Sequence, residues 1–185
     1  KKLKKILRWT TISLTTILFL TFTIPLLIPV SKAGKLNNIK PFDNSEFTIC
    51  NDIELHYRVW KNQDSVNSDK WILMLHGMGG STYSWVNNAQ VFCDSGYNVV
   101  AVDIPPYGYS GKNEDFNYST DNIARLIWKF AIRFNRDTKW ILIGHSMGGG
   151  IAQCMAILKP ERTSKVIFVA PALFNKIEPG RSFSQ

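Results

Sequence analysis

Ser146 stands between two glycines spaced two residues to either side, in Gly144-His145-Ser146-Met147-Gly148, directly after the apolar run Lys139-Trp140-Ile141-Leu142-Ile143. A serine on a tight turn from a strand into a helix presents its hydroxyl above the sheet edge, with the positive end of the helix beneath it. Glycines flank it because side chains on either side of so sharp a turn would collide. The chemistry this suits is nucleophilic attack on an acyl carbon. Such a serine needs backbone N–H groups aimed at the developing oxyanion. A second stretch offers them: His76-Gly77-Met78-Gly79-Gly80 follows the apolar run 71–75, and its glycines let backbone approach a substrate closely. Neither stretch has the Gly-Lys-Ser/Thr of a phosphate loop or the spacing of a dinucleotide-binding turn.

The elements that must position these residues are legible from hydrophobic patterning. Runs 71–77, 97–105, 139–144 and 165–171 are near-continuous, β-branched and apolar, which suits strands buried on both faces of a parallel sheet. Before them, 46–50 and 53–60 flank Asn51-Asp52 as an antiparallel hairpin. Helical patterns lie between the strands. Residues 82–93 stop at Asp94-Ser95-Gly96. Residues 119–134 are capped by Ser119 or Thr120 and place Ile123, Leu126, Ile127, Phe130 and Phe134 on one face. A third helix runs from about Ser146 to Pro160. The order predicts an α/β class: a mostly parallel, doubly wound sheet preceded by a hairpin.

The formal charge of +8 does not describe a nucleic-acid-binding face. Residues 1–40 hold eight of the 22 basic residues and no acid, so the remainder carries 14 basic against 14 acidic residues. The excess belongs to a leader in which 22 uncharged residues, Trp9 to Val30, follow five cations. That length crosses a hydrocarbon core as a helix. Residues 1–33 therefore read as a signal anchor, with the domain outside the cytoplasm, or as a signal peptide cleaved near Ala33. Residues 34–45 are polar with Gly and Pro and read as a linker, leaving 46–185 as the domain. Cys50, Cys93 and Cys154 are odd in number and widely spaced, and they form neither a disulfide framework nor a metal pair.

Taken together, His76-Gly-Met-Gly-Gly-Ser81, Asp103-Ile-Pro-Pro-Tyr-Gly-Tyr-Ser110 and Gly144-His-Ser-Met-Gly-Gly149 resemble the α/β-hydrolase superfamily in its lipase- and esterase-like form, over roughly 46–175. The resemblance implies Ser146 as nucleophile and the N–H groups of Met78 and Met147 as the oxyanion hole. It makes His76, Gly77, Gly79, Gly80, Gly144, His145 and Gly148 motif residues that shape the two turns. Asp103 becomes the aspartate that organises a loop after its strand, and Pro106 departs from the glycine usual there. No cofactor or metal is implied, and the expected partner besides the membrane is a small-molecule or lipid acyl substrate. His56 reads as a strand histidine.

In the superfamily an acid and then a histidine follow the serine. After Ser146 this sequence has only Glu161 and Glu178 as acids, and no histidine follows His145. The reading therefore expects the N-terminal part of a longer serine hydrolase, incomplete in its last strands. These 185 residues alone should be nearly inactive, because a serine without its base is a weak nucleophile. Residues 165–171 would then be an apolar sheet edge. The alternative is a non-catalytic binding protein on the same scaffold.

Overall fold

The structure, a computed structural model, describes residues 1–27, 40–62, 69–134 and 136–173 in two units, Lys1–Ile39 and Lys40–Gln185. The first unit holds helix α1, Lys2–Leu27. Its stretch Lys2–Ile24 is long and apolar enough to cross a membrane, at mean hydropathy 1.3. At 1.5 Å per residue, 23 residues extend about 35 Å. All six threonines of α1 donate their hydroxyls back to carbonyls three or four residues earlier, as Thr11 does to Leu7 and Thr21 to Ile17. Those donors need no water, which suits a helix surrounded by hydrocarbon. Residues 28–39, with the cleavage positions around Ala33, lie outside the described residues.

The second unit is a six-stranded mixed sheet: β1 Ser45–Cys50, β2 Ile53–Trp60, β3 Trp71–Leu75, β4 Asn98–Val102, β5 Trp140–His145 and β6 Thr163–Val169. The order is β1-β2-β4-β3-β5-β6. β1 pairs antiparallel with β2 and β2 with β4, whereas β4, β3, β5 and β6 run parallel. Three helices follow strands: α2 Val86–Asp94, α3 Thr120–Ala131 and α4 Met147–Leu158.

Side chains alternate across a strand, and the core splits accordingly. Leu73, Leu75, Val100, Val102 and Leu142 face the layer of α3 and α4. Ile72, Met74, Val99, Ala101 and Ile143 face the side of α2, against Trp85, Ala89 and Cys93. Burial on both faces is why these strands read as unbroken apolar runs rather than alternating ones. Ser119 caps α3, accepting from Asn122 N–H, and Trp128 Nε1–H donates 2.8 Å to Met155 O, tying α3 to α4. All three cysteines are buried and free.

Two expectations shift. The helix expected over 82–93 begins as a 3-10 turn, Thr82–Trp85, with Ser81 as its cap, before α2 starts. The linker expected over 34–45 does not extend to its C-terminal end: β1 starts at Ser45, Asn44 Nδ2–H donates to Val59 O, and Phe42 stacks on Arg58. A single aromatic ring anchors what its polar neighbours made look like free chain. β6 is the edge of the described sheet and exposes Ile167, Phe168 and Val169, each by 41 to 43%.

Candidate active site

Ser146 links β5 to α4 with φ 48° and ψ −118°, a backbone region that L-residues rarely occupy and that costs on the order of 1–3 kcal/mol. Hydrogen bonds hold it there. Ser146 N–H donates 3.0 Å to Val169 O, and its carbonyl accepts from Gly149 N–H and Ala172 N–H at 2.9 Å each. The glycines are required by contact. A Cβ on Gly148 would run into Leu75 O and His76 O, and one on Gly144 into Gly148 O. The serine side chain is half-buried, and its hydroxyl has no hydrogen-bond partner among the described residues.

The turn after β3 lies against this serine. A Cβ on Gly77 would sit 3.2 Å from Ser146 Cβ and 2.8 Å from His145 Nδ1, so two stretches 69 residues apart meet at Gly77 and Ser146. His76 fixes the turn from beneath. Fully buried, it accepts Ile104 N–H at Nε2 over 2.8 Å and donates Nδ1–H to Gly77 O over 2.7 Å. Those roles demand the neutral ring with its proton on Nδ1. Burial pushes the His76 pKa below its ordinary value, despite the Gly77 carbonyl and the Asp103 charge. Gly80 N–H closes the turn on Gly77 O at 3.0 Å, Gly79 takes φ +70°, and the Met78 side chain is exposed.

Asp103, one residue past β4, is buried and collects three donors: His56 Nδ1–H and Tyr109 N–H at Oδ2, both 2.7 Å, and Thr82 N–H at Oδ1. Burial alone would raise its pKa, but these hydrogen bonds and the His56 charge outweigh it and hold the carboxyl below its ordinary value. Thr82 begins the 3-10 turn behind the glycine turn, so Asp103 braces the loop that carries Met78. The loop passes Pro106 through a cis Pro105–Pro106 peptide, and Tyr107 N–H closes on Ile104 O. Gly108, at φ +60°, is needed because a Cβ there would strike the Asp103 carboxylate.

Sequence reasoning understated His56. It is a strand residue, but a wholly buried one, with Nδ1 on Asp103 and Nε2 sharing a 2.8 Å hydrogen bond with Ser45 Oγ. Ser110 completes the cluster, donating Oγ–H to Asp103 O and accepting His56 N–H. The signal available was the alternation of β2, which puts His56, Arg58 and Trp60 on one face. Ser45-His56-Asp103 has the order of bonds of a catalytic triad, but none of the three is exposed, so no substrate reaches it. His145 is exposed and makes no hydrogen bond to Ser146. Glu161 sits exposed in the 3-10 turn Pro160–Arg162, and Glu178 lies outside the described residues. Of the three histidines, two are committed elsewhere and the third makes no hydrogen bond to the serine.

Comparison with known proteins agrees with this architecture. A family model described as alpha/beta hydrolase fold matches residues 70–184. The Bacillus subtilis (strain 168) protein named "Uncharacterized hydrolase YugF" is 30% identical over 131 residues, which are 70% of this chain and 45% of that one. Methylesterase 18 of Arabidopsis thaliana is 26% identical over 113 residues, 61% of this chain and 42% of that one. Among solved structures, the thioesterase domain from the curacin biosynthetic pathway superposes with TM-score 0.62 at 25% identity, over 72% of this chain and 48% of that chain. The chain spans less than half the length of these relatives.

Proposed function

The chain belongs to the alpha/beta-hydrolase family, and from that premise we propose that it supplies the nucleophile and oxyanion hole of a serine hydrolase acting on a carboxylic ester or related acyl substrate. The observation that carries the reading is the backbone of Ser146, held at φ 48° between β5 and α4 with Gly77 packed beside it. A fold keeps a strained, half-buried serine when the strain aims the hydroxyl.

In this mechanism Ser146 Oγ attacks the acyl carbon and its proton passes to a histidine base. The C–O bond to the leaving group breaks as that base returns the proton, and water then releases the acyl group by the reverse sequence. The carbonyl oxygen, negatively charged in between, is taken by the N–H groups of Met147 and Met78. Met147 is the first residue of α4, where helical N–H groups lack intrahelical acceptors. Met78 lies in the turn that His76 and Asp103 brace. The base and its acid are not Ser146's neighbours among the described residues, so the reading assigns them to the remainder of the full-length protein. The relatives named as an esterase and a thioesterase support acyl chemistry. Helix α1 is long and apolar enough for attachment to a membrane, and the five cations ahead of Trp9 favour the domain lying outside the cytoplasm, where lipid-derived esters are within reach.

A fluorophosphonate probe on the full-length protein tests this. Covalent labelling that disappears in Ser146→Ala is expected. No labelling, or equal labelling of Ser146→Ala, overturns the assignment.

A further inference from the structure

Two tyrosines stand out from the loops that follow β3 and β4. Tyr83, in the 3-10 turn Thr82–Trp85, is 63% exposed, and Tyr109 is 40% exposed. One residue from elsewhere in the chain joins them. The Phe42 ring stacks on Tyr83 with centroids 6.3 Å apart and meets Tyr109 edge-on at 6.4 Å. Arg58 holds Phe42 in turn, with Cζ 4.1 Å from the ring centroid. Asp103 sets both tyrosines, since Oδ1 accepts the N–H of Thr82, next to Tyr83, and Oδ2 that of Tyr109 itself. Met78, on the neighbouring glycine turn, adds an exposed side chain.

The loops that carry these side chains are uncharged. No Asp, Glu, Lys or Arg occurs in 71–93 or in 104–111, and His76 is buried. Lys40 and Asp43, on either side of Phe42, are exposed and offset one another. A face with large apolar groups and little charge to desolvate marks a contact. Tyrosine, apolar in its ring and polar at its tip, suits the boundary between lipid and water. Where the chain enters the domain indicates the partner. Twelve residues, 28–39, separate α1 from Lys40, and a chain of that length reaches about 40 Å at most. Phe42, two residues after Lys40, is the ring that joins the two tyrosines.

We propose that Met78, Tyr83 and Tyr109, gathered around Phe42, form a surface that docks on the lipid headgroups of the bilayer that α1 crosses. A tether attached beside Phe42 draws this side of the domain to the bilayer in preference to the opposite one. The same side carries the C-terminal ends of β3, β4 and β5, where Ser146 lies, so docking turns the serine toward esters held in the bilayer. The proposal rests on the membrane attachment read from α1, and not on the reaction of Ser146.

The test uses the full-length protein in phosphatidylcholine vesicles, with a fluorophore on one introduced cysteine. The sites are Tyr83→Cys, Tyr109→Cys and, as a reference, Lys139→Cys, exposed at the opposite end of β5. Cys50, Cys93 and Cys154 are buried, and the unsubstituted protein taken through the same labelling gives the background. Flotation with the vesicles reads attachment. Lipids bearing a nitroxide near the headgroup should quench the labels at 83 and 109 at least two-fold more than the label at 139. Adding Tyr83→Asp to the Tyr109→Cys protein, which places a charge at the contact, should return its quenching to the level at 139. Should either Tyr83 variant lose its circular dichroism signal, the labels at 109 and 139 carry the test by themselves. Protein that does not float refutes the attachment and the proposal with it. Protein that floats with 83 and 109 quenched no more than 139 overturns the docking alone. Labels at 83 and 109 that are shielded from aqueous iodide yet unquenched by nitroxide lipid would put another part of the chain, or a second copy, on this surface and overturn it as well.

Discussion

His56 Nδ1 lies 2.7 Å from Asp103 Oδ2, both side chains wholly buried, joining the middle of β2 to the end of β4 across 47 residues of sequence. The carboxylate so held also receives the N–H of Thr82, at the start of the 3-10 turn behind the glycine loop, and of Tyr109. One buried acid thus braces two loops near Ser146 without touching a substrate. Replacing His56 by Ala leaves that carboxylate short of a donor. We expect a loss of stability of about 2–3 kcal/mol in urea unfolding of the full-length protein, the range for an orphaned buried hydrogen-bonding group, and greater than for Ser45→Ala. Equal effects of the two would show that His56 contributes only packing.

The strain at Ser146 makes a separable prediction. Glycine tolerates a positive φ that serine and alanine do not. Ser146→Gly should therefore unfold at higher urea than Ser146→Ala, by about 1 kcal/mol, while both lose fluorophosphonate labelling. Equal stability of the two variants would mean the serine backbone is not strained in solution.

At Gly148 and Gly77 the same substitution should have different effects. Alanine at Gly148 drives its methyl into backbone oxygens of Leu75 and His76, which cannot move aside, and should cost about 2–3 kcal/mol of stability. Alanine at Gly77 meets the His145 ring, which can swing out, and crowds Ser146 Cβ. It should cost less stability but cut probe labelling at least ten-fold. Unfolding curves and labelling rates of the two variants, read side by side, decide this.

Acid should destabilise the domain in two stages. His76 has a folded pKa depressed by burial, so below its ordinary 6.5 the unfolded chain gains a proton that the folded one refuses. Its contribution is complete above that pH and is lost as the pH falls toward the depressed value. Asp103 is held below its ordinary 3.8, so its contribution is present above 3.8 and lost on further acidification. Urea midpoints measured from pH 7.5 to 2.5 should hold above 6.5, fall below it, and fall again below 3.8. The decline between 6.5 and 5 should be shallower in His76→Gln, and an unchanged slope there would remove His76 from the account.

What the sequence determined by itself is whatever is local along the chain. The strand, turn and helix around Ser146 are consecutive, so Gly144 and Gly148 announce a backbone too tight for side chains before any packing is known. Strands buried on both faces declare themselves by composition, and the hairpin by Asn51-Asp52. The 22 uncharged residues behind five cations likewise state a membrane-compatible helix without reference to anything else. What only the tertiary structure decided are meetings between distant residues. Phe42 looked like part of a linker because its neighbours are polar, and its use appears only once β2 brings Arg58 beneath it. His56 could have been any strand histidine until the order β1-β2-β4-β3-β5-β6 set β2 beside β4 and delivered Asp103 to its ring. Gly77 reaches Ser146 for the same reason, since β3 and β5 are paired in space and not in sequence. A turn is specified by the sterics of a few successive residues, whereas a buried hydrogen bond across 47 residues depends on which strands pair, and no local pattern encodes that.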